Sequence, residues 1–210
     1  IFILSAFTGY LALKYRLSKA AVKEDIGYKF AYALILGFFT WKFSLIIFDP
    51  LSVIHYPMSL LYFNGGDRGM VLAIFISILF LWIRTWKDGT SIMMNLDVLA
   101  VGLITGSGIY HLLLLTMDST NTIFHILFIF LNVVLSLFLY SKKEAVGNMV
   151  VLNRLLIWYS LGLIGIFFAK EDRTFFVLGF TKEQFILFII FMITLSIDLV
   201  LDKKNIKEVL

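Results

Sequence analysis

The sequence predicts an all-α integral membrane protein with seven transmembrane helices, an outside N-terminus and a cytoplasmic C-terminus. Of its 210 residues, 60% are hydrophobic and 15% are charged, against about 45–50% and about 25% in a typical soluble domain. The apolar residues form long runs, and Lys and Arg concentrate in alternate loops. A soluble domain of this size still exposes roughly 30% of the surface that its unfolded chain exposes. So apolar a chain has too few polar residues to cover that surface, which excludes a soluble fold.

The apolar runs define the elements in order. The first run, Ile1–Leu13, has thirteen residues, whereas a span needs about 20, so we interpret it as the end of a first span whose beginning is missing. Six longer runs each predict a spanning helix because helices satisfy their own backbone hydrogen bonds in hydrocarbon. These runs are Ile26–Phe48, Met70–Trp86, Ile92–Met117, Ile123–Tyr140, Met149–Ala169 and Phe185–Leu201. Together the seven spans form a single transmembrane domain over residues 1–210.

The distribution of Lys and Arg predicts the orientation, because cytoplasmic loops carry an excess of both residues. Eleven lie in the loops and tail on one side, and four lie on the other side. The eleven are Lys14, Arg16, Lys19, Lys23, Arg84, Lys87, Lys142, Lys143, Lys203, Lys204 and Lys207. This bias places the N-terminus outside and the C-terminus inside.

Ionisable residues inside the spans are candidate functional residues, because they are costly in a membrane. Lys42 and His111 both lie near the outer ends of their spans, and the outer loop before the third span adds Asp67 and Arg68. This grouping predicts a polar site open to the outer leaflet, where Lys42, Arg68 and His111 bind the phosphate of a lipid headgroup.

Simpler interpretations of the same residues stay open. Lys42 is close enough to the interface to extend its ammonium group into the headgroups. His111 and His125 could each form only an interhelical hydrogen bond, and Gly106 and Gly108 could mark a close helix contact. Asp97, near the cytoplasmic end of the fourth span, is expected to anchor helix packing.

The sequence disfavours several other classes of protein. The chain has no cysteine, and its three histidines lack the H-x₃₋₅-H spacing of zinc sites. P-loop and dinucleotide fingerprints are missing, so we expect no metal and no cofactor. No basic stripe with interleaved aromatic residues is present, so we expect no nucleic-acid partner.

Several short motifs resemble one enzyme family. Asp49-Pro50-Leu51 is followed by Phe63-Asn64-Gly65-Gly66 just before the third predicted span. Further along the chain, Asp97, Ala100, Gly106 and Gly108 fall at matching positions of the same pattern, which ends at His111. In this pattern the chain resembles bacterial phosphatidylglycerol–prolipoprotein diacylglyceryl transferases, which have seven helices in the inner membrane and an outside N-terminus. The family's F-H-G-G motif corresponds to Phe63–Gly66, and its essential Arg to His111.

The resemblance implies a site and a partner. Asn64 and His111 would occupy catalytic positions, and Lys42, Gly65, Gly66, Asp67 and Arg68 would bind a phosphatidylglycerol-like phospholipid. A lipoprotein would be the acceptor, in the bacterial cytoplasmic membrane.

The chain departs from the family at its functional positions. The motif His is Asn64, the signature Arg is His111, and another Arg is Leu163. The family's large insertion between the fourth and fifth helices is reduced to Asp118–Asn121. Asn64 cannot act as a base at neutral pH, and His111 could serve as base or as partial cation but not as both. We therefore expect the parent chemistry to be lost or altered, as in a pseudoenzyme, and whether the protein is an enzyme stays open.

Two other functions compete with this lipid-handling hypothesis. A non-catalytic subunit of a larger membrane complex would fit the short loops, which offer little surface for a soluble substrate. A transporter or channel would usually need broken helices or charges near the midplane, whereas these charges lie near the span ends.

Overall fold

The computed structural model describes residues 1–19, 25–62, 65–117, 120–141, 146–177 and 179–209, and for 25 and 201–209 the backbone only. Over these ranges the chain is helical, apart from turns, loops and an isolated antiparallel bridge between Val177 and Phe180. The all-α prediction is confirmed. The helices, in chain order, are α1 (Phe2–Lys19), α2 (Asp25–Phe43), α3 (Leu45–Phe48), α4 (Pro50–His55), α5 (Ser59–Tyr62), α6 (Gly66–Lys87), α7 (Ile92–Leu115), α8 (Thr122–Ser141), α9 (Met149–Ile166) and α10 (Lys182–Val209).

Within the described ranges, six helical segments are long and apolar enough to cross a membrane, which supports a multi-pass membrane protein. They are Ile26–Phe48, Gly66–Lys87, Ile92–Leu115, Thr122–Ser141, Met149–Ala169 and Lys182–Val200. The remaining long helix, α1, carries three basic residues in its last six positions and is not among the six. The seventh span and the orientation stay predictions, and Lys23, Lys142 and Lys143 lie outside the described residues.

The chain divides into two compact units, which are described separately. Unit 1 is Ile1–Ala21 with Ile92–Leu210, and unit 2 is Val22–Ser91. In unit 1, α1 packs along α7, α7 along α8, α8 along α9, and α9 along α10. In unit 2, α2 packs along α6.

Small residues bring α1 and α7 close together. A Cβ atom built on Gly9 would lie 2.5 Å from the carbonyl oxygen of Gly102, and one built on Gly106 would lie 3.0 Å from that of Ser5. On the next face, a Cβ on Gly108 would lie 3.2 Å from the Cβ of Asn132 in α8. Gly106 and Gly108 therefore mark close helix contacts, as one interpretation of the sequence predicts.

The apolar core of unit 1 is built from facing stripes of α7, α8 and α9. Buried residues recur every three or four positions, the spacing that places side chains on one face of a helix. The main cluster is Val101, Ile104, Leu135, Leu139, Leu152 and Leu155. A second cluster, of Phe124, Phe128, Leu163 and Ile166, continues the core toward the other end of α8.

A reciprocal cap fixes the start of α10. The backbone N–H of Thr181 donates to Oε1 of Gln184 at 3.0 Å, and the backbone N–H of Gln184 donates to the hydroxyl of Thr181 at 3.3 Å. This is a capping box. The amide of Gln184 also donates to the carbonyl oxygen of Ile164 at 3.0 Å, which ties α10 to α9.

The α2–α6 pair of unit 2 also rests on small residues. A Cβ on Gly37 would lie 2.5 Å from the hydroxyl oxygen of Ser77, and that hydroxyl donates to the carbonyl oxygen of Ala33 at 3.0 Å. At the opposite end from the glycine-rich start of α6, Lys29 pairs with Asp88 at 3.0 Å and donates to Thr90 at 2.9 Å.

Two helix ends differ from those that hydropathy predicts. The first helix continues to Lys19 rather than ending near Leu13, because Arg16 and Leu17 are buried. The third long helix begins at Gly66 rather than Met70, so Asp67 and Arg68 lie in its first turn. The segment between α2 and α6 also contains the short helices α3, α4 and α5. Hydropathy underestimates the length of these helices because their ends contain polar residues.

Candidate functional site

The predicted lipid-binding residues lie where α2 ends and α6 begins. The ammonium group of Lys42, in the last turn of α2, donates to the carbonyl oxygen of Leu61 at 2.8 Å. Leu61 belongs to α5, which leads into the glycine turn before α6. The lysine is therefore held against the segment that precedes α6 instead of extending away from the protein.

Two glycines with positive φ form the turn into α6. Gly65 has φ 76° and Gly66 has φ 56°, in the left-handed region that favours glycine. A Cβ on Gly65 would overlap the indole ring of Trp41, whereas one on Gly66 would meet nothing within 4 Å. The hydroxyl of Ser44 donates to the carbonyl oxygen of Gly65 at 3.3 Å. Two residues that flank Lys42 in sequence thus contact the glycine turn.

Asp67 and Arg68 are exposed on the first turn of α6. The N-terminus of a helix carries a partial positive charge and presents backbone N–H groups, which favours anions. Arg68 adds a full positive charge with a planar fork of donors suited to phosphate. The negative charge of Asp67 repels an anion at the same turn. Asn64, the remaining predicted residue of this region, lies outside the described residues.

The loop between α2 and α6 contains one well-capped carboxylate. Asp49 accepts hydrogen bonds from the hydroxyl of Ser52 at 2.5 Å and from its backbone N–H at 3.2 Å, which caps α4. These bonds lower the pKa of Asp49 from its ordinary value. Asp49 therefore carries a stable negative charge that is already used to shape the loop.

His111 forms a direct pair with His125. The two Nδ1 atoms lie 2.8 Å apart, and the ring of His111 stacks on Phe128 with 3.8 Å between ring centroids. His111 is half-buried in α7, and His125 is 5% exposed at the start of α8. The interhelical hydrogen bond that one interpretation of the sequence predicts is confirmed.

This geometry limits the chemistry of His111. In an Nδ1–Nδ1 hydrogen bond one ring donates and the other must accept, so at least one of the two imidazoles is neutral. The Nδ1 atom of His111 is occupied by the pair, which leaves Nε2 for any ligand. The Nε2 atom of His125 is buried and has no hydrogen-bond partner among the described residues.

A second polar contact between α7 and α8 lies one turn of α7 away from His111. The hydroxyl of Ser107 donates to Oδ1 of Asn132 at 3.1 Å, and the amide of Asn132 donates to the carbonyl oxygen of Phe128 at 2.8 Å. His111 and Ser107 are four positions apart on α7, and His125 and Asn132 are seven apart on α8. Both pairs therefore lie on the faces that the antiparallel helices share.

A buried ion pair between α1 and α7 was not predicted from the sequence. Nε and Nη2 of Arg16 donate to the two carboxylate oxygens of Asp97, each at 3.1 Å, and Nη1 donates to the carbonyl oxygen of Leu139 at 2.5 Å. Arg16 is 2% exposed and Asp97 is 1% exposed. The anchoring role expected for Asp97 is confirmed, but its partner is an arginine that the sequence predicts to lie in a loop.

A signal for this pair was present in the sequence. The buried residues of α1 are Ser5, Gly9, Leu13, Arg16 and Leu17. Arg16 therefore continues a stripe with helical spacing, and an arginine on a packed stripe needs a buried acidic partner. Asp97 is an obvious candidate because few acidic residues lie inside the apolar runs.

The predicted site residues are divided between the two units. Lys42, Gly65, Gly66, Asp67 and Arg68 belong to unit 2, and His111 belongs to unit 1. The structure brings the unit 2 residues together at one end of the α2–α6 pair. Their convergence with His111 on one cavity stays a prediction. Among the described residues, no three His, Asp or Glu side chains are grouped so that they could hold a metal ion.

Comparison with protein-family models, curated proteins and solved structures found no match. The resemblance to diacylglyceryl transferases therefore stays a prediction based on the short motifs.

Proposed function

We propose that this protein handles lipids in a membrane and binds the headgroup of an anionic phospholipid, such as phosphatidylglycerol, where α2 ends and α6 begins. The observation that carries the proposal is the placement of Lys42 against α5, together with the glycine turn and the exposed Arg68 on the first turn of α6. The chemistry of diacylglyceryl transfer is lost or altered in this proposal.

The local charges favour a phosphate. Lys42 and Arg68 each supply a positive charge, and the start of α6 adds about half a charge, against the single negative charge of Asp67. The nearby Asp49 is already bonded to Ser52. Both cations lie beside the ends of apolar helices, the depth at which phospholipid headgroups are found.

The missing base supports the loss of the parent reaction. Transfer to a cysteine thiol needs a base beside the thiol and a cation on the departing phosphate. Asn64 lacks a basic side chain, and His111, whose Nδ1 atom is bonded to His125, has only Nε2 left for one of the two roles. Lipid binding without transfer needs cations for the phosphate, but it needs no base.

The test compares two arginines of the same helix. The protein would be placed in nanodiscs of phosphatidylcholine with or without phosphatidylglycerol, and retained lipids identified by native mass spectrometry. Arg68→Gln should lower phosphatidylglycerol retention about fivefold, since a basic residue at a membrane surface contributes about 1 kcal/mol. Arg84→Gln is the matched control, about 24 Å away along α6.

Two outcomes decide the proposal. Loss of phosphatidylglycerol in Arg68→Gln and in Lys42→Gln, with normal retention in Arg84→Gln, supports it. Equal retention in all three variants overturns it. Formation of a diacylglyceryl thioether on a lipoprotein peptide would show that the parent chemistry persists.

A second candidate function rests on exposed apolar residues outside the spanning helices. Leu51 and Ile54 of α4, with Tyr56, Leu61 and Tyr62 nearby, are each at least 66% exposed. In a subunit of a larger membrane complex, a partner chain would cover them. Cross-linking from a photoreactive residue at position 62 in native membranes tests this: one defined protein adduct favours the subunit function, and lipid adducts alone oppose it.

A further inference from the structure

A second polar feature lies in unit 1, remote in sequence from the α2–α6 end. An open pocket of about 340 Å³ is lined by Tyr15, Arg16, Lys19 and Tyr140. These residues come from the last turns of α1 and α8. The described wall thus holds two cations and two phenol rings and no carboxylate side chain.

The guanidinium group in the wall is rigidly held. Asp97 binds Nε and Nη2 of Arg16, and the carbonyl oxygen of Leu139 accepts from Nη1. Of the five N–H donors of a guanidinium group, these bonds use three, and the side chain that carries them is 2% exposed. The bond to Leu139 also satisfies a carbonyl of the last turn of α8, where the helix dipole is negative.

Lys19 supplies the positive charge that Asp97 does not neutralise. Its ammonium group lies 5.6 Å from the centroid of the Tyr15 ring, a cation–π contact that holds it over the pocket wall. The rings of Tyr15 and Tyr140 meet edge to face, with centroids 5.8 Å apart. The two phenols and the lysine are thus mutually positioned before any ligand arrives.

We propose that this pocket binds a phosphate group, supplied either by the headgroup of an anionic phospholipid or by a water-soluble phosphate. Arg, Lys and the phenol of Tyr15 match the oxygens of a phosphate, whereas the hydroxyl of Tyr140 already donates to the carbonyl oxygen of Ala12 at 3.5 Å. The volume reaches the lower limit of small-ligand pockets, about 300 Å³. The pocket lies where two apolar helices end, and basic residues at such ends attract anionic lipids. The proposal is independent of the α2–α6 site.

The experiment compares two lysines of α1. Lys14 and Lys19 are both exposed near its end, but Lys14 is not part of the pocket wall. Each is changed to Gln in the Arg68→Gln background, which weakens the other proposed lipid site, and helical content is checked by circular dichroism. In phosphatidylglycerol nanodiscs, Lys19→Gln should lower retention of this lipid about fivefold relative to Lys14→Gln, as measured by native mass spectrometry.

A second arm identifies the source of the phosphate. In phosphatidylcholine nanodiscs, inorganic phosphate is titrated while the melting temperature is followed. A rise that Lys19→Gln abolishes and Lys14→Gln retains, without a lipid effect, supports the pocket with a water-soluble ligand. A lipid effect supports it with a headgroup. If the two variants behave alike in both arms, the proposal is overturned.

Discussion

Gly65 and Gly66 have the same sign of φ but different neighbours, so they separate backbone strain from steric overlap. Gly66→Ala should cost about 1–2 kcal/mol of stability, the strain of a left-handed alanine. Gly65→Ala should cost about 2–4 kcal/mol, because its Cβ also overlaps the rigid Trp41 ring. Unfolding of the purified variants in mild detergent measures both. Equal losses would contradict the contact with Trp41.

The Arg16–Asp97 pair gives a second prediction for single residues. Asp97→Asn should cost about 3–5 kcal/mol, because it leaves a buried guanidinium group without its counter-charge. The double variant Arg16→Met with Asp97→Leu should recover most of this loss, since it removes both charges. A double-mutant cycle on unfolding free energies checks the coupling. Additive losses would argue against the buried pair.

The Lys29–Asp88 pair should make stability depend on acidity. The hydrogen bond from Lys29 lowers the pKa of Asp88 from its ordinary value of 3.8. A lowered carboxyl pKa contributes stability that is present above the ordinary value and is lost as the pH falls through the folded value. The melting-temperature difference between the natural protein and Lys29→Gln should therefore shrink upon acidification below about pH 4. Lys14→Gln is the control, because Lys14 is not among the charges that lower this pKa, and a constant difference would contradict the pairing.

Among the elements, the contact between α1 and α7 is asymmetric. A Cβ on Gly9 would lie 2.5 Å from a backbone oxygen of α7, whereas one on Gly102 would lie 3.4 Å from its nearest neighbour. Gly9→Ala should cost about 1–3 kcal/mol, because the two backbones must separate. Gly102→Ala should be neutral or stabilising, as alanine favours helix. Thermal unfolding distinguishes them, and the reverse order would reject this packing.

The sequence predicts most of the long helices because their apolar runs are long enough to span hydrocarbon. Their ends follow different physics. Arg16 extends α1 because a distant Asp97 neutralises it, and Gly66 starts α6 because the turn needs two positive φ values. Contacts between segments that are distant in sequence determine where these helices begin and end, and hydropathy contains no information about such contacts.

For the whole molecule, the predicted orientation can be tested directly because the chain contains no cysteine. Single cysteines at the exposed positions Tyr56, Glu171 and Lys87 provide the probes. Tyr56→Cys and Glu171→Cys should react with an impermeant maleimide on intact cells, and Lys87→Cys should react only after permeabilisation. The opposite pattern would reverse the orientation, and a shared side for all three would reject the span count.

The candidate site was predictable in part. Costly charges in apolar runs pointed to Lys42, and the glycine motif pointed to the turn before α6. The partners of His111 and Arg16 were indicated only in part: an arginine on a packed stripe needs a buried acid such as Asp97, and His111 and His125 were candidates for interhelical hydrogen bonds. Which of these groups meet depends on the register of α7 with α1 and α8.

The pairing of Arg16 with Asp97 constrains the order in which the chain is assembled during synthesis. The two residues are 81 positions apart, an interval of about 4–16 s at ordinary rates of translation. Until Asp97 emerges, the guanidinium group lacks its counter-charge and stays at the level of the headgroups. We therefore expect the first helix to reach its final depth only when α7 arrives. Ribosome-bound chains stopped before and after Asp97 should differ in how deeply a probe on α1 is buried.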